Sequence, residues 1–392
     1  MIPAGDLGKR IGIIGGGQLG KMMLQEAKKM GIYVTILDPV PYCPAHSLAD
    51  DHIVADFHDE GGLRQLAEKS DVITYEFEHI GVEILQRLEQ EGHAIYPTVK
   101  SLEIIQNKYL QKQALLNARL PVPEFQPLQE ECDLWKLGDT LGYPFLLKSC
   151  TGGYDGKGNA LVRGPQDLES AYRSLGAGKM PLMAEAFVAF DKEISVLACR
   201  GISGEIAVYP VGENFHQDNI LIETRVPAAL PAAVTQKVLE LAQLVMEVFE
   251  GVGMFCVEMF VTENGSILIN EVAPRPHNSG HYSIEGCVTS QFEQHIRAIL
   301  GLPLGDTTLI RPTVMRNLLG EEGYAGKISV AGVYEALALP GVKLHIYGKR
   351  ETKPKRKMGH ITVTAAAMEE AVRIIEAAAE QIKIQSGEED VQ

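Results

Sequence analysis

The chain has 392 residues, more than one ordinary hydrophobic core holds, so two or three domains are expected. It is composed like an ordinary globular protein, 45% hydrophobic and 22% charged, and its formal net charge of −15 excludes nucleic acid and anionic membrane as general partners, since both are repelled at long range. Six scattered cysteines without a CxxC pair, no apolar run near the roughly 18 residues of a membrane helix, and a start (MIPAGDLGKR) without a signal-peptide core lead to the expectation of a cytoplasmic protein with reduced thiols.

Residues 10–14 read as a strand that runs into Gly15-Gly16-Gly17-Gln18-Leu19-Gly20 and an amphipathic helix to Met30. A second strand over 33–37 ends in Asp38, so the glycines and an acid about 20 residues on satisfy the dinucleotide-binding fingerprint. The same turn serves any close polar ligand at a helix N-terminus, so an NAD-dependent oxidoreductase is one of two readings here. The α/β alternation continues with a helix over 62–68 and a strand over 72–78, whose end carries Glu76 and Glu78 toward the glycine turn. Past Pro97 a helical stretch carries Asn107, Lys108 and Lys112, and Leu120-Pro121-Val122-Pro123 marks a domain junction.

From residue 144 a strand, a glycine-rich loop and a second strand predict a hairpin flap containing Gly153-Tyr154-Asp155-Gly156-Lys157-Gly158-Asn159. Glycines beside a lysine let backbone N–H groups close on phosphate oxygens while the ammonium adds charge; a mobile hairpin tip is the bland alternative. Lys148, at the end of an apolar strand, calls for an anion. A strand over 182–188 feeding a linker, then 191–196, forms a crossing segment able to offer backbone groups to a purine edge, with Glu193 available to ribose hydroxyls. His216 falls in a polar loop, where a lone histidine is more often surface than site, and a long helix spans 231–250.

Two runs rich in Val, Ile and Phe then flank Asn264-Gly265, the strongest short signal for a two-residue hairpin turn. With that turn Glu263 pairs with Ser266, Thr262 with Ile267, and Glu258 lies opposite Glu271. Opposed carboxylates repel, so a hard divalent cation is called for, and magnesium usually arrives with phosphates. The alternative pairs one acid with a basic side chain and leaves the other solvated. Just beyond, Asn270, Arg275, His277, Asn278 and Ser279 form a polar series around two prolines, suited to a ligand-facing loop. The remainder is strand-rich (313–317, 343–347, 360–364), with six basic residues in the nine from Lys349 to Lys357, a terminal helix over 368–382 and a polar tail. The basic run reads as a local phosphate pocket or as a solvated loop.

The order of these features resembles the ATP-grasp superfamily across nearly the whole chain and, within it, the N5-carboxyaminoimidazole ribonucleotide synthetases. The resemblance is carried by Gly15 to Gly20, Tyr75-Glu76-Phe77-Glu78, Gly153 to Gly158, Asn270 to His281, and Arg356-Lys357-Met358-Gly359-His360. The inserted Tyr154-Asp155 is the sharpest discriminator from formate-using and biotin-dependent relatives. It implies α/β and α+β architecture: a Rossmann-like domain (1–110), an ATP-grasp domain (111–300, with a flap at about 120–190 and a metal hairpin at 255–272) and a C-terminal α+β, strand-rich subdomain (301–392). Around ATP it places Lys108, Lys148, Gly153, Tyr154, Asp155, Gly156, Lys157, Gly158, Asn159, Glu185, Ala186, Phe187, Val188, Glu193, His216, Asn270 and Glu271, with Mg2+ on Glu258 and Glu271. Around aminoimidazole ribonucleotide it places Gln18, Leu19, Glu76, Tyr154, Asp155, Arg275, His277, Asn278 and Ser279, with Lys349, Arg356 and Lys357 on the phosphate. Lys148, Arg275, Asp155 and His277 would be catalytic, the last two as alternative bases, in an ATP-dependent carboxylation with bicarbonate. The family further implies a homodimer acting on small molecules. Another ATP-grasp ligase, such as a formate-dependent glycinamide ribonucleotide transformylase, is the nearest alternative.

Overall fold

A computed structural model describes residues 8–128, 130–153 and 158–387; Tyr154, Asp155, Gly156 and Lys157 of the glycine loop, and the tail from residue 388, lie outside the described residues. The first layer is a parallel sheet of β1 (Ile11–Ile14), β2 (Val34–Leu37), β3 (Asp51–Ile53) and β4 (Val72–Tyr75), in the order β3-β2-β1-β4. The segments IGII, VTIL and VITY are buried throughout, the pattern of parallel strands covered on both faces. Ile11 and Ile13 pack with Met23 and with Phe292 and Ile296 of the helix Gln291–Leu300, whereas Ile14 packs with Leu63 and Leu66. Glu76 and Glu78 sit just past the C-terminal end of β4, next to the glycine turn that opens the helix Gln18–Lys29.

The flap is an antiparallel sheet of β5 (Phe125–Leu128), β6 (Phe145–Ser149), β7 (Asn159–Val162) and β8 (Leu182–Ala186), in the order β5-β8-β6-β7. The expected hairpin is present, with Phe145 opposite Val162 and Lys148 opposite Asn159.

The central sheet contains β9 (Lys192–Arg200), β10 (Ile206–Val208), β11 (Gly212–Gln217), β12 (Ile220–Val226), β13 (Gly253–Val261), β14 (Ile267–Ala273) and β15 (Thr313–Leu319). His216 therefore lies on a strand, not in the loop expected for it. Beyond β15 come β16 (Gly326–Ala331), β17 (Val342–Ile346), β18 (Glu351–Thr352), β19 (Lys357–Thr364) and β20 (Lys383–Ser386). β19 and β17 extend the central sheet through β12 and β15, while β18, β16 and β20 form a small sheet beside it. The helix Ala232–Phe249 covers one face, its Val238, Ala242, Val245 and Met246 meeting Val257, Met259 and Ile269.

β14 is an edge strand, and it does not stand open. The Gln111 side chain donates to the carbonyl of Val272 (3.0 Å) and accepts its N–H (2.9 Å), while Lys112 Nζ donates to the carbonyl of Ile269 (3.2 Å). These bonds cover the edge and dock the helix Lys108–Asn117 on it.

Candidate active site

A cleft of about 1080 Å³ lies where the end of the parallel sheet, the β13–β14 hairpin and the basic loop converge. Its floor is the acid pair. The hairpin loop is longer than a two-residue turn: Thr262 N–H donates to Ser266 O (3.0 Å), Gly265 N–H to Thr262 O (2.8 Å), and Gly265 takes a φ of 78°. Leaving the loop, the register is one residue off the expected one, with Val261 opposite Ile267 and Met259 opposite Ile269. A bulge at Asn270 then restores the predicted opposition of Glu258 and Glu271. The expected pairing is right because two one-residue shifts cancel. The bulge also changes the strand's facing, so that Asn270 and Glu271 both reach the cleft wall.

The two acids have different surroundings. Lys108 Nζ donates to Glu271 Oε1 at 2.7 Å. Its helix is capped by the Asn107 side chain, which accepts from Tyr109 N and Leu110 N. Burial raises the Glu271 pKa, but Lys108, helped by the charges of Lys148 and Lys112, brings the net shift downward. Glu258 faces His277 Nε2 at 3.9 Å, and burial, then the charge of Glu271, push its carboxyl up to about 7. The pair is thus half compensated, which is half of the alternative reading. A cation shared by both acids would supply the rest, and two facing carboxylates are a donor set that fits magnesium. Among the described residues no group of three or more His, Cys, Asp or Glu could hold a metal, so further ligands would be substrate oxygens and water.

Beside the floor lies a second charged cluster. Lys148 and Lys112 both pair with Glu185, the latter at 2.8 Å, and the Glu185 side chain is 1% exposed. Burial opposes ionisation of Glu185, yet the two ammonium groups bring it down to about 2, while burial lowers Lys112 to about 8. The anion that Lys148 calls for is therefore within the protein. Lys108, Asn270 and Glu271 separate this triad from the open cleft, with a cavity of only about 10 Å³ between.

Gly153, Asn159, Glu193 and His216 also line the cleft. His216 Nδ1 meets Glu193 at 2.6 Å, a contact that raises the histidine pKa against the opposing effect of burial. Ala186 and Val188 are half-buried and Phe187 is 46% exposed; Gly158 closes the flap hairpin by accepting Ser149 N–H (2.8 Å).

At the opposite end the glycine turn is filled by the chain itself. Glu76, 9% exposed, accepts from Gly17 N (2.6 Å) and Gly20 N (2.7 Å), and Asp38 accepts from Gly16 N (2.9 Å). A Cβ on Gly17 would stand 2.5 Å from Glu76 Oε1, so the glycine admits a carboxylate of the protein where a dinucleotide would bring a pyrophosphate. The dinucleotide reading fails here: the helix N-terminus and the acid at position 38 are both engaged.

Gln18, Leu19, Glu76, Arg275, His277, Asn278, Lys349, Arg356 and Lys357 share the wall at this end. Lys349 Nζ donates to Gln18 Oε1 (2.7 Å) and to Lys357 O (2.7 Å), tying the basic loop to the glycine turn. Arg275 Nε meets Glu78 at 2.8 Å, and Asn278 and Asn317 exchange side-chain hydrogen bonds. Ser279 differs from the expectation: it is fully buried, and its hydroxyl meets His277 Nδ1 at 2.8 Å instead of facing ligand. Lys112 was legible as the residue one helical turn after Lys108. Gln291, whose side chain accepts His277 N–H (2.9 Å) and donates to His277 O (2.8 Å), carries no sequence signal.

Residues 8–106 match the ribonucleotide synthetase preATP-grasp domain, 113–292 the ATP-grasp domain, and 313–373 the phosphoribosylaminoimidazole carboxylase C-terminal domain. The chain is 45% identical over 356 residues to the N5-carboxyaminoimidazole ribonucleotide synthase of Bacillus subtilis, covering 91% of each. It is 41% identical to the chloroplastic phosphoribosylaminoimidazole carboxylase of Vigna aconitifolia, of whose length it spans 64%. The crystal structure of the N5-carboxyaminoimidazole ribonucleotide synthetase from Thermotoga maritima superposes with a TM-score of 0.88 at 48% identity, covering 97% of this chain and 100% of that one. The synthase of Aspergillus clavatus, in complex with ADP and 5-aminoimidazole ribonucleotide, gives 0.89 at 36% identity, covering 96% and 99%. The chain belongs to the N5-carboxyaminoimidazole ribonucleotide synthase family of ATP-grasp enzymes.

Proposed function

We propose that this chain carboxylates the exocyclic amine of 5-aminoimidazole ribonucleotide with bicarbonate and ATP, forming N5-carboxyaminoimidazole ribonucleotide, ADP and phosphate in purine biosynthesis. The observation that carries the reading is the two-ended cleft: a half-compensated acid pair and Lys108 at one end, a basic loop tied to the glycine turn at the other.

In this reading a bicarbonate oxygen attacks the γ-phosphorus as the bond to ADP breaks, and the amine then attacks the carboxyl carbon of carboxyphosphate as phosphate leaves. Magnesium held by Glu258 and Glu271 would neutralise phosphate charge. Lys108, Asn270 and the backbone around Gly153 and Asn159 align the phosphates, and Glu193 and His216 take the nucleoside. Arg275, fixed by Glu78, would supply positive charge to bicarbonate and the forming carboxylate. Gln18, Leu19 and Asn278 hold the aminoimidazole riboside on a glycine turn that Glu76 fixes from behind, and Lys349, Arg356 and Lys357 hold its phosphate. Lys148, paired with Glu185, braces the wall behind Lys108 and Glu271. The resemblance supports a cytoplasmic homodimer, which light scattering after gel filtration tests; among the described residues no helix is long and apolar enough to cross a membrane.

ADP release measured with bicarbonate and aminoimidazole ribonucleotide tests the function. Release above the ATP-only rate is expected. No increase, or stimulation by formate and glycinamide ribonucleotide instead, contradicts it.

A further inference from the structure

His277 lines the cleft beside Glu258 with two ring nitrogens in different surroundings. Nε2 points into the cleft, 3.9 Å from Glu258 Oε1. Nδ1 points into the protein, where it meets Ser279 Oγ at 2.8 Å and Ser279 N at 3.3 Å. A backbone N–H can only donate, so Nδ1 must accept and carries no proton. The Ser279 hydroxyl, 0% exposed, then also donates to Nδ1, and its oxygen is left to accept from Ser195 Oγ at 2.9 Å. Ser195 is itself 4% exposed on β9. Turning the ring over would place Cδ2 against both Ser279 donors, leaving the buried backbone N–H unpaired and the hydroxyl with only the weak Cys256 Sγ acceptor at 3.6 Å, which is the costly alternative. The backbone cannot shift to relieve this, because the Gln291 side chain grips both His277 N–H and His277 O.

We infer that Ser279, backed by Ser195, locks His277 in the neutral form protonated at Nε2, so that His277 presents a hydrogen-bond donor to the cleft and is not the base that deprotonates the amine. Two consequences follow from the geometry. An N–H at Nε2 cannot ligate the cation held by its neighbour Glu258, so His277 stays outside the metal shell although it stands beside it. A donor at this place is suited to a carboxylate or carboxyphosphate oxygen, whose negative charge grows as the C–N bond forms and the bond to phosphate breaks. The amine proton leaves on another acceptor. Ser279 is a positioning residue: it acts on the reaction through the ring it orients. The kinetic part of the inference rests on the carboxylation reading; the tautomer does not.

The direct test is a two-bond 1H–15N correlation spectrum of the substrate-free protein labelled with 15N-histidine, the His277 signals being identified by their loss in His277→Gln. The expected pattern is a pyridine-type Nδ1 with a pyrrole-type Nε2. A protonated Nδ1 or an averaged pattern overturns the inference whatever the substrate proves to be. The second test compares two isosteres in the ADP-release assay. Gln keeps an N–H donor near the Nε2 position and Asn keeps one only near Nδ1, so His277→Gln should retain about tenfold more kcat than His277→Asn. Equal loss in both overturns the donor role. Ser279→Ala keeps the backbone N–H, so Nδ1 should stay pyridine-type in the same spectrum, while loss of the hydroxyl contact frees the ring and should lower kcat with KM for ATP unchanged, and Ser279→Thr should restore kcat; an unchanged kcat in Ser279→Ala removes the Ser279 side chain from the proposal.

Discussion

Two charged clusters lie side by side at the base of the cleft and are built in opposite ways. The Lys112–Glu185–Lys148 triad is closed: its central acid is 1% exposed and held between two ammonium groups. The Glu258–Glu271 pair is open: one acid is matched by Lys108, and the other is pushed up to about 7 by burial and by the charge of Glu271. Closed charge holds structure, whereas open charge waits for a ligand, and only the second arrangement gains when a cation arrives. The glycine turn belongs with the triad in this respect, since Glu76 and Asp38 already fill what looks in isolation like a binding site.

If the contrast holds, substitutions on its two sides should separate activity from stability. Glu271→Gln should lower turnover on the order of a thousandfold, because phosphoryl transfer depends on charge neutralisation, while thermal unfolding shifts little. Near-normal ADP release would put the pair on the structural side. Glu185→Gln should do the reverse in the first instance, costing about 3–5 kcal/mol in urea unfolding because two buried ammonium groups lose their counter-charge. A stability change under about 1 kcal/mol would show that the triad is not the closed cluster described here.

At the far end of the cleft, Arg356→Ala should raise KM for the ribonucleotide about tenfold and leave KM for ATP alone, the loss of one charge-assisted contact. An unchanged value would return the basic loop to solvated surface.

The smallest effect expected is a pH dependence. Glu258 has a folded pKa of about 7, above the roughly 4.3 of an unfolded glutamate, so the folded state binds more protons between these values. Metal-free protein should therefore lose stability from this group as pH rises from about 4 to 7, and Glu258→Gln should remove that slope. Protons compete with the cation for the same oxygens, so magnesium should stabilise the wild type more at pH 8 than at pH 6. A magnesium effect independent of pH would contradict the open state of Glu258.

Much of this was legible in the sequence, for identifiable reasons. The parallel strands announce themselves as continuous apolar runs, and the flap hairpin by its glycines between two apolar segments. The acid pair was legible through Asn264-Gly265, although the turn is longer than that dipeptide suggests and a bulge at Asn270 compensates. Bulges carry no short-range signature here, because Asn270 looks like any polar residue of an alternating strand. Likewise, nothing in the pattern shows that the anion for Lys148 is Glu185, a partner 37 residues away, or that Ser279 faces His277 and not the ligand. Local spacing reports which residue types are present; whether a charge is already satisfied depends on contacts made across the fold.

The most direct measurement of the open pair is ADP affinity by calorimetry, with and without magnesium, in the wild type and in the Glu258→Gln, Glu271→Gln double substitution. Magnesium should tighten ADP binding about tenfold or more in the wild type and have no effect in the variant. Equal magnesium enhancement in both proteins would show that the cation sits elsewhere and would contradict the account.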